Sequence, residues 1–115
     1  MPLQEGEENE KKRRITRVPI ATTVSLIGSK WKLLIIRNLS SRPYRFNELQ
    51  KSLEGISQKV LTTSLRELAD DGIIYRKDYH TNPPRVEYGM SDLGKELINV
   101  LKSMEEFGYY YKARL

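Results

Sequence analysis

The spacing of apolar and polar residues predicts an amphipathic helix over residues 57–70. Apolar side chains recur there at three- and four-residue steps, which puts them on one helical face. The predicted apolar face consists of Val60, Leu61, Leu65 and Leu68. The Ser57 hydroxyl can accept from a backbone N–H of the first turn, and Asp71-Gly72 is typical of a left-handed C-cap.

The pattern changes to alternation after this helix. Residues 73–79 and 85–90 alternate between apolar and polar side chains, which predicts two antiparallel strands. The connecting segment 80–84 contains two prolines and is too long for a tight turn. It is therefore predicted to be a loop, or wing.

The remaining segments complete a mainly helical domain. They predict a first helix from Pro19 to Gly28, a second over 31–39 that is buried on most sides, and a third over 47–53. An extended piece over 44–46 is expected to pair with the hairpin, and Ser91 or Asp92 caps one long last helix. The fold class is therefore mainly α with a small antiparallel β-hairpin (α+β), in the order of a winged helix-turn-helix.

The polar face of the 57–70 helix is the first candidate site. Its side chains can donate to or accept from base edges and phosphates, and they are Ser57, Gln58, Lys59, Thr62, Thr63 and Arg66. No acid occurs between Gln58 and Arg66, whereas a solvated helix more often mixes charge signs for i,i+4 pairing. Insertion into a DNA major groove explains this composition, and an ordinary solvated face stays the alternative.

Polar residues that flank this helix extend the candidate site. Those of the hairpin that can reach phosphate or a minor groove are Lys77, His80, Asn82 and Arg85. Arg45 and Asn47 stand where the start of the third helix could meet a phosphate. For His80 an exposed loop residue without function is the alternative.

The last helix carries an apolar stripe longer than a domain of this size needs to bury. The residues of the first and last helices that we predict to form a dimer interface are Ile20, Val24, Leu101, Met104, Phe107 and Tyr111. A self-associating helix accounts for this stripe better than a ligand pocket does.

Composition narrows the functional classes. The 115-residue chain has no cysteine and one histidine, which excludes disulfides and disfavours a metal site or a catalytic constellation. We therefore predict no enzymatic activity, metal or cofactor. No apolar run reaches about 18 residues and the N-terminus has no apolar signal segment, so we expect a cytoplasmic protein without a membrane partner.

The positive charge is concentrated in one half of the chain. The net charge is +5, and Gly28–Arg66 contains eight cations against two acids. Val86–Leu115 contains four cations against five acids. This distribution favours a polyanion bound by the helix-turn-helix half, while the nearly neutral last helix tolerates an oligomer interface.

Residues 1–17 are predicted to be a flexible charged tail that precedes a domain over 18–115. Acids come first in the tail, and Lys11-Lys12-Arg13-Arg14 follows. Two interpretations stay open: a basic arm that lies along DNA, and a solvated tail without function.

Three segments resemble the HxlR-type family of bacterial transcriptional regulators. They are LIGSKWKLLIIRNL (Leu26–Leu39), RFNELQKSLEGISQKVLTTSLRELADDGII (Arg45–Ile74) and PPRVEYGMSDLGKEL (Pro83–Leu97). The resemblance runs from about Pro19 to Phe107. It implies a homodimer built through the terminal helices, with one recognition helix per subunit in successive major grooves of a pseudo-palindromic operator.

The resemblance also implies roles for individual residues. The recognition helix is Ser57–Asp70, and His80–Arg85 is the wing. The side chains that would face bases are Gln58, Lys59, Thr62 and Thr63, while Arg66 would lie nearer a phosphate. Many members carry a cysteine just before the proline that opens the first helix. Here that residue is Val18, so thiol sensing is excluded.

The prediction is a sequence-specific transcriptional regulator that binds double-stranded DNA as a homodimer. One alternative is a non-specific or architectural nucleic-acid-binding protein. A winged-helix protein-interaction module is a weaker one, because the polar face lacks apolar anchors. The sequence does not specify the operator, the target genes, repression or activation, or a small-molecule effector.

Overall fold

The computed structural model describes residues 18–115, so the predictions for the tail over 1–17 lie outside the described residues. Helices and a single hairpin follow one another along this part of the chain. Their bounds are α1 Pro19–Ile27, α2 Lys30–Leu39, α3 Phe46–Ser52, α4 Gln58–Asp70, β1 Ile74–Asp78, β2 Val86–Met90, α5 Asp92–Lys95 and α6 Ile98–Lys112.

Helix α2 lies at the centre of the domain and contacts α3, α4, β2 and α6. The core is aliphatic, and its fully buried side chains are Ile35, Ile36, Leu49, Leu61 and Leu68. Ser29 begins α2 by accepting from the Lys32 N–H. Trp31, Leu33 and Leu34 are only partly buried, so α2 is less enclosed than its composition predicted.

Helix α4 is held to the core by its leucines. Leu61, Leu65 and Leu68 are buried, as predicted, but Val60 is 37% exposed and does not belong to the apolar face. At 100° per residue Val60 lies about 100° around the helix from Leu61, so it falls on the flank of the buried leucine face. The Ser57 cap and the left-handed Gly72, with φ +78°, are confirmed.

The two strands pair antiparallel, with Ile74 opposite Met90 and Asp78 opposite Val86. Side chains alternate between two faces, and the face of Ile74 and Met90 packs on the core; we call it the inner face and the other the outer face. The extended piece predicted over 44–46 is shorter in the structure. Tyr44 alone bridges to Tyr88, because Arg45 already caps α3 and Phe46 begins it.

The single last helix predicted from Ser91 onward is wrong, since the structure has a short α5 and a separate α6. The Ser91 hydroxyl caps α5 by accepting from the Gly94 N–H. Gly94 lies so close to the Ile73 carbonyl oxygen that a Cβ there would clash with it, which fixes the direction of α5. The chain then tightens through i→i+3 bonds at Glu96 and Leu97 before α6 starts toward α2.

Candidate nucleic-acid interface

The predicted base-reading face of α4 points to solvent. The buried leucines fix the helix on the domain, so Gln58, Lys59 and Thr62 are exposed and Arg66 is exposed one turn further. Thr63 is half-buried. Ser57 is exposed too, but its hydroxyl already accepts from the Val60 N–H at 3.1 Å. The helix therefore presents an acid-free polar surface over its first three turns.

Glu67, the first acid after this surface, is paired with a cation of another helix. Glu67 forms an ion pair with Lys32 of α2, whose side chain is 13% exposed. The pair ties the flank of α4 to the centre of the domain. It leaves Lys59 and Arg66 as the cations of the exposed α4 surface.

A concavity of about 500 Å³ separates α4 from the hairpin. Gln58, Thr62 and Arg66 form one wall at i, i+4, i+8 spacing. Arg76 and Tyr88 of the inner face form the opposite wall, and Phe46, Leu65, Ala69 and Asp70 complete the lining. The sequence prediction missed Arg76. Strand alternation does put it on the face of Ile74, but only the structure shows that this face continues past the core to overlook α4.

In the structure the wing is the whole loop between the two strands, residues 79–85, and local hydrogen bonds close it. The Tyr79 N–H donates to the Arg85 carbonyl at 2.9 Å, and the Thr81 hydroxyl donates to the Pro83 carbonyl at 2.9 Å. The His80 N–H donates to Asp78 Oδ1 at 2.8 Å, which supports its left-handed φ of +52°. His80 and Asn82 are exposed at the tip.

The outer face of the hairpin carries a tyrosine–carboxylate cluster at the base of the wing. Glu87 Oε2 accepts from the hydroxyl groups of Tyr75 and Tyr79 at 3.0 and 3.2 Å. Burial, followed by the hydrogen bond to Glu87, raises the pKa of the Tyr75 phenol. Lys77 Nζ and Arg85 Cζ lie 4.6 and 4.4 Å from the Tyr79 ring centroid. The structure thus keeps these two predicted cations together, on the side of the hairpin opposite Arg76.

Arg45 and Asn47 are exposed at the start of α3. The Arg45 N–H donates to Glu48 Oε1 at 2.9 Å, and Arg42 Nη1 lies 3.6 Å from Glu48 Oε2. The hydrogen bond from Arg45 is the main reason that the pKa of Glu48 is lowered, and the charge of Arg42 adds to it. This carboxylate holds the beginning of α3 beside the concavity.

Exposed apolar side chains also occur on α1 and on α6. Ile20 and Val24 of α1 are 80% and 58% exposed. The predicted interface residues Met104, Phe107 and Tyr111 of α6 are exposed as well, while Leu101 is partly buried. A groove of about 540 Å³ between α2 and α6 adjoins the stripe on α6, with Leu33, Leu34, Ile98 and Met104 in its lining.

Within residues 18–115, no group of three or more histidine, aspartate or glutamate side chains is arranged to hold a metal ion. No single helix in that range is long and apolar enough to cross a bilayer. Helices α1 and α2 reach that length and apolar composition only when taken together, and the angle between them is 83°.

Residues 26–115 match the HxlR-like helix-turn-helix family. The chain belongs to this family. Among its relatives, the HTH-type transcriptional regulator YdeP of Bacillus subtilis (strain 168) is 41% identical over 97 residues, which are 84% of this chain and 76% of YdeP. The HTH-type transcriptional regulator BH0655 of Halalkalibacterium halodurans is 40% identical over 90% of this chain and 92% of its own.

Solved structures agree with this assignment. The HTH-type transcriptional regulator ytcD superposes with a TM-score of 0.81 at 36% identity, over 84% of this chain and 99% of its own. The redox regulator HypR in its oxidized form superposes with a TM-score of 0.77 at 38% identity, over 81% and 96%. The predicted family, the winged-helix fold class and the absence of an enzyme function are therefore confirmed. This HxlR-like protein is a transcriptional regulator of the helix-turn-helix type.

Proposed function

We propose that this HxlR-like protein binds a pseudo-palindromic operator as a homodimer, with α4 of each protomer in successive major grooves. The observation that carries the proposal is the acid-free exposed face of α4, which three buried leucines hold in a fixed orientation. Eight cations against two acids over Gly28–Arg66 supply the non-specific attraction to the phosphates. A rigid polar helix on a basic domain is suited to reading base edges.

Within this proposal the exposed residues divide by chemistry. Gln58 suits a bidentate contact with adenine and Lys59 a contact with guanine, and Thr62 and Thr63 reach base edges beside them. Arg66, Arg45 and Asn47 contact phosphates, with the Ser57 hydroxyl close by. The hairpin supplies contacts to the flanking backbone from Lys77 of β1 and from His80, Asn82 and Arg85 of the wing.

The dimer half of the proposal rests on the apolar surface of α1 and α6. Phe107 is 65% exposed and Ile20 80%, more apolar exposure than an isolated domain of this size has reason to keep. A second copy covers the stripe of Met104, Phe107 and Tyr111 and places the two α4 helices about one helical turn of DNA apart.

A redox function by thiol chemistry does not accompany the likeness to HypR. The chain has no cysteine, and Val18 stands just before the proline that opens α1.

The test is selection of bound fragments from genomic DNA of the source organism at near-physiological salt, followed by sequencing. A two-fold symmetric motif with half-sites about 10 base pairs apart is the expected result. Enrichment without any preferred motif would contradict the proposal and favour a non-specific nucleic-acid-binding protein.

The base-contact roles are tested on the selected operator with Gln58→Ala and Lys59→Ala. Each change is expected to weaken operator binding by about 1–3 kcal/mol per contact while random duplex is bound almost as before. Asn99→Ala and Lys95→Ala are the matched controls, because both residues are exposed and neither lies on α4 or lines the concavity. Equal losses on operator and random duplex would contradict the base-contact roles.

A further inference from the structure

Arg76 lies across the concavity from Arg66, on a different element. Arg66 projects from the third turn of α4, and Arg76 from the inner face of β1. Residues far apart in the chain thus bring two guanidinium groups to one opening of about 500 Å³. Both side chains are exposed to solvent.

Neither guanidinium forms a hydrogen bond or an ion pair with any residue from 18 to 115. Several other arginines of the same domain do form such contacts. Arg42 and Arg85 each contact a glutamate and a tyrosine ring, and Arg114 lies on the Tyr110 ring. Arg66 and Arg76 therefore keep all their donors for a partner outside the domain.

The lining between the two arginines favours an anion of a particular kind. Phe46, Leu65 and Ala69 are apolar, so charges near them are less screened than in open water. Tyr88 adds a phenol whose hydroxyl makes no hydrogen bond within the described residues. A guanidinium binds a phosphate through two parallel N–H groups, and the opening admits a diester on the DNA surface.

We propose that Arg66 and Arg76 form a clamp for one backbone phosphate of the DNA that α4 enters. The inference deepens the proposed function and rests on it. The clamp positions the recognition helix relative to the strand and carries no base information itself. It also gives the inner face of the hairpin a DNA contact distinct from the wing tip.

The competing explanation is that Arg76 serves only to neutralise Asp70, which lines the same opening. The two explanations differ in what Asp70→Asn does. If Arg76 only offsets this carboxylate, Asp70→Asn restores the DNA binding of Arg76→Gln. If Arg76 holds a phosphate, Asp70→Asn strengthens the binding of the unmodified protein and does not rescue Arg76→Gln.

The experiment measures the affinity of the full chain for a random-sequence duplex of about 30 base pairs, long enough for two half-sites. Salt is varied between about 50 and 200 mM, and the slope of log affinity against log salt reports the phosphates that are contacted. Arg76→Gln is expected to lower that slope by about one per protomer, and Arg66→Gln by a similar amount. Because both hold one phosphate, the double variant loses less than the sum of the two.

Lys95→Gln on α5 removes one exposed cation that does not line the concavity and is the matched control, with an unchanged slope expected. Arg76→Lys keeps the charge but not the two-pronged donor, so it retains the slope and binds more weakly. If thermal unfolding shows that Arg76→Gln is not folded, Arg76→Lys provides the test instead. Unchanged binding of Arg76→Lys would then overturn the clamp.

The outcomes separate the two proposals. An unmodified protein that binds no duplex refutes the proposed function itself. An unmodified protein that binds, with Arg76→Gln giving the same slope and affinity, refutes only the clamp. Rescue of Arg76→Gln by Asp70→Asn also refutes it.

Discussion

Helices α4 and α6 both leave a long face in solvent, but the two faces have opposite chemistry. In α4 the leucines are buried and the exposed side chains other than Val60 are polar, with Lys59 and Arg66 unaccompanied by acids until Glu67. In α6 no residue is buried, and the exposed side chains include Met104, Phe107 and Tyr111. A polar exposed face is stable in water as it stands, whereas an apolar one gains free energy when it is covered.

The contrast indicates two different partners. A fixed, hydrated and cationic surface suits a polyanion whose counterions are released on binding. A stripe of large apolar side chains suits another apolar surface, and in a homodimer the same stripe supplies it. Charge follows the same division, since Val86–Leu115 contains four cations against five acids.

The largest expected effect is that of Phe107→Asp. A carboxylate in the middle of the apolar stripe is buried and unpaired in a dimer, so the variant is expected to be monomeric. Losing the second recognition helix lowers operator affinity by about 10²–10⁴-fold, the advantage of two linked binding modules. Sedimentation velocity gives the oligomeric state, and fluorescence anisotropy with labelled operator gives the affinity.

Tyr109→Asp is the matched control, because Tyr109 lies about 160° from Phe107 and Tyr111 around α6. It is 68% exposed, so the added charge stays in water. A dimer that persists in Phe107→Asp, or one that is lost equally in Tyr109→Asp, would contradict the assignment of the stripe as the interface. Thermal unfolding of both variants establishes that the monomer is folded.

The sequence predicted most of the elements for local reasons. The three-and-four spacing of Leu61, Leu65 and Leu68 marks the buried side of α4, and the side chain of Ser57 marks its start. Alternation over 73–79 and 85–90 marks the hairpin, within one residue at each end of the observed strands. These signals are carried by neighbours along the chain, so a single sequence is enough to read them.

The features that the sequence prediction missed depend on contacts between distant residues. The position of α5 depends on the close approach of Gly94 to Ile73, which no helical period reveals. Val60 was placed in the core because it is apolar, although its angle on the helix puts it outside. Arg76 was missed because its partner surface, α4, comes from another part of the chain.

A smaller effect is expected from Tyr79→Phe, which tests how much the tyrosine–carboxylate cluster at the base of the wing stabilises the fold. The change removes the hydrogen bond to Glu87 but keeps the ring beneath Lys77 and Arg85. We expect the free energy of unfolding to fall by about 1 kcal/mol, the usual net value of one such bond. Urea denaturation monitored by circular dichroism measures it.

Tyr110→Phe removes the same hydroxyl from α6, where it makes no hydrogen bond within the described residues. No change in stability is expected for this control. Equal losses in the two variants would show that the Glu87 cluster does not stabilise the hairpin. A loss confined to Tyr79→Phe would show that the wing is held by the domain itself before DNA binds.

The smallest expected effect is the contribution of Glu48, at the start of α3, to the pH dependence of folding stability. Its pKa is lowered below the ordinary 4.5, chiefly by the Arg45 N–H and further by Arg42. A carboxyl whose pKa is lowered by folding stabilises the fold at pH values above its pKa in the unfolded chain, and that contribution is lost as the pH falls through its pKa in the folded protein.

Glu48→Gln removes the charge while an amide can still cap α3. We expect its denaturation midpoint to lie slightly below that of the unmodified protein at pH 7 and to converge with it as the pH falls below 4.5. Glu106→Gln on α6, where the side chain has no ion pair within the described residues, is expected to show no such convergence. A constant difference between Glu48→Gln and the unmodified protein from neutral to acid pH would mean that the charge of Glu48 does not hold the start of α3.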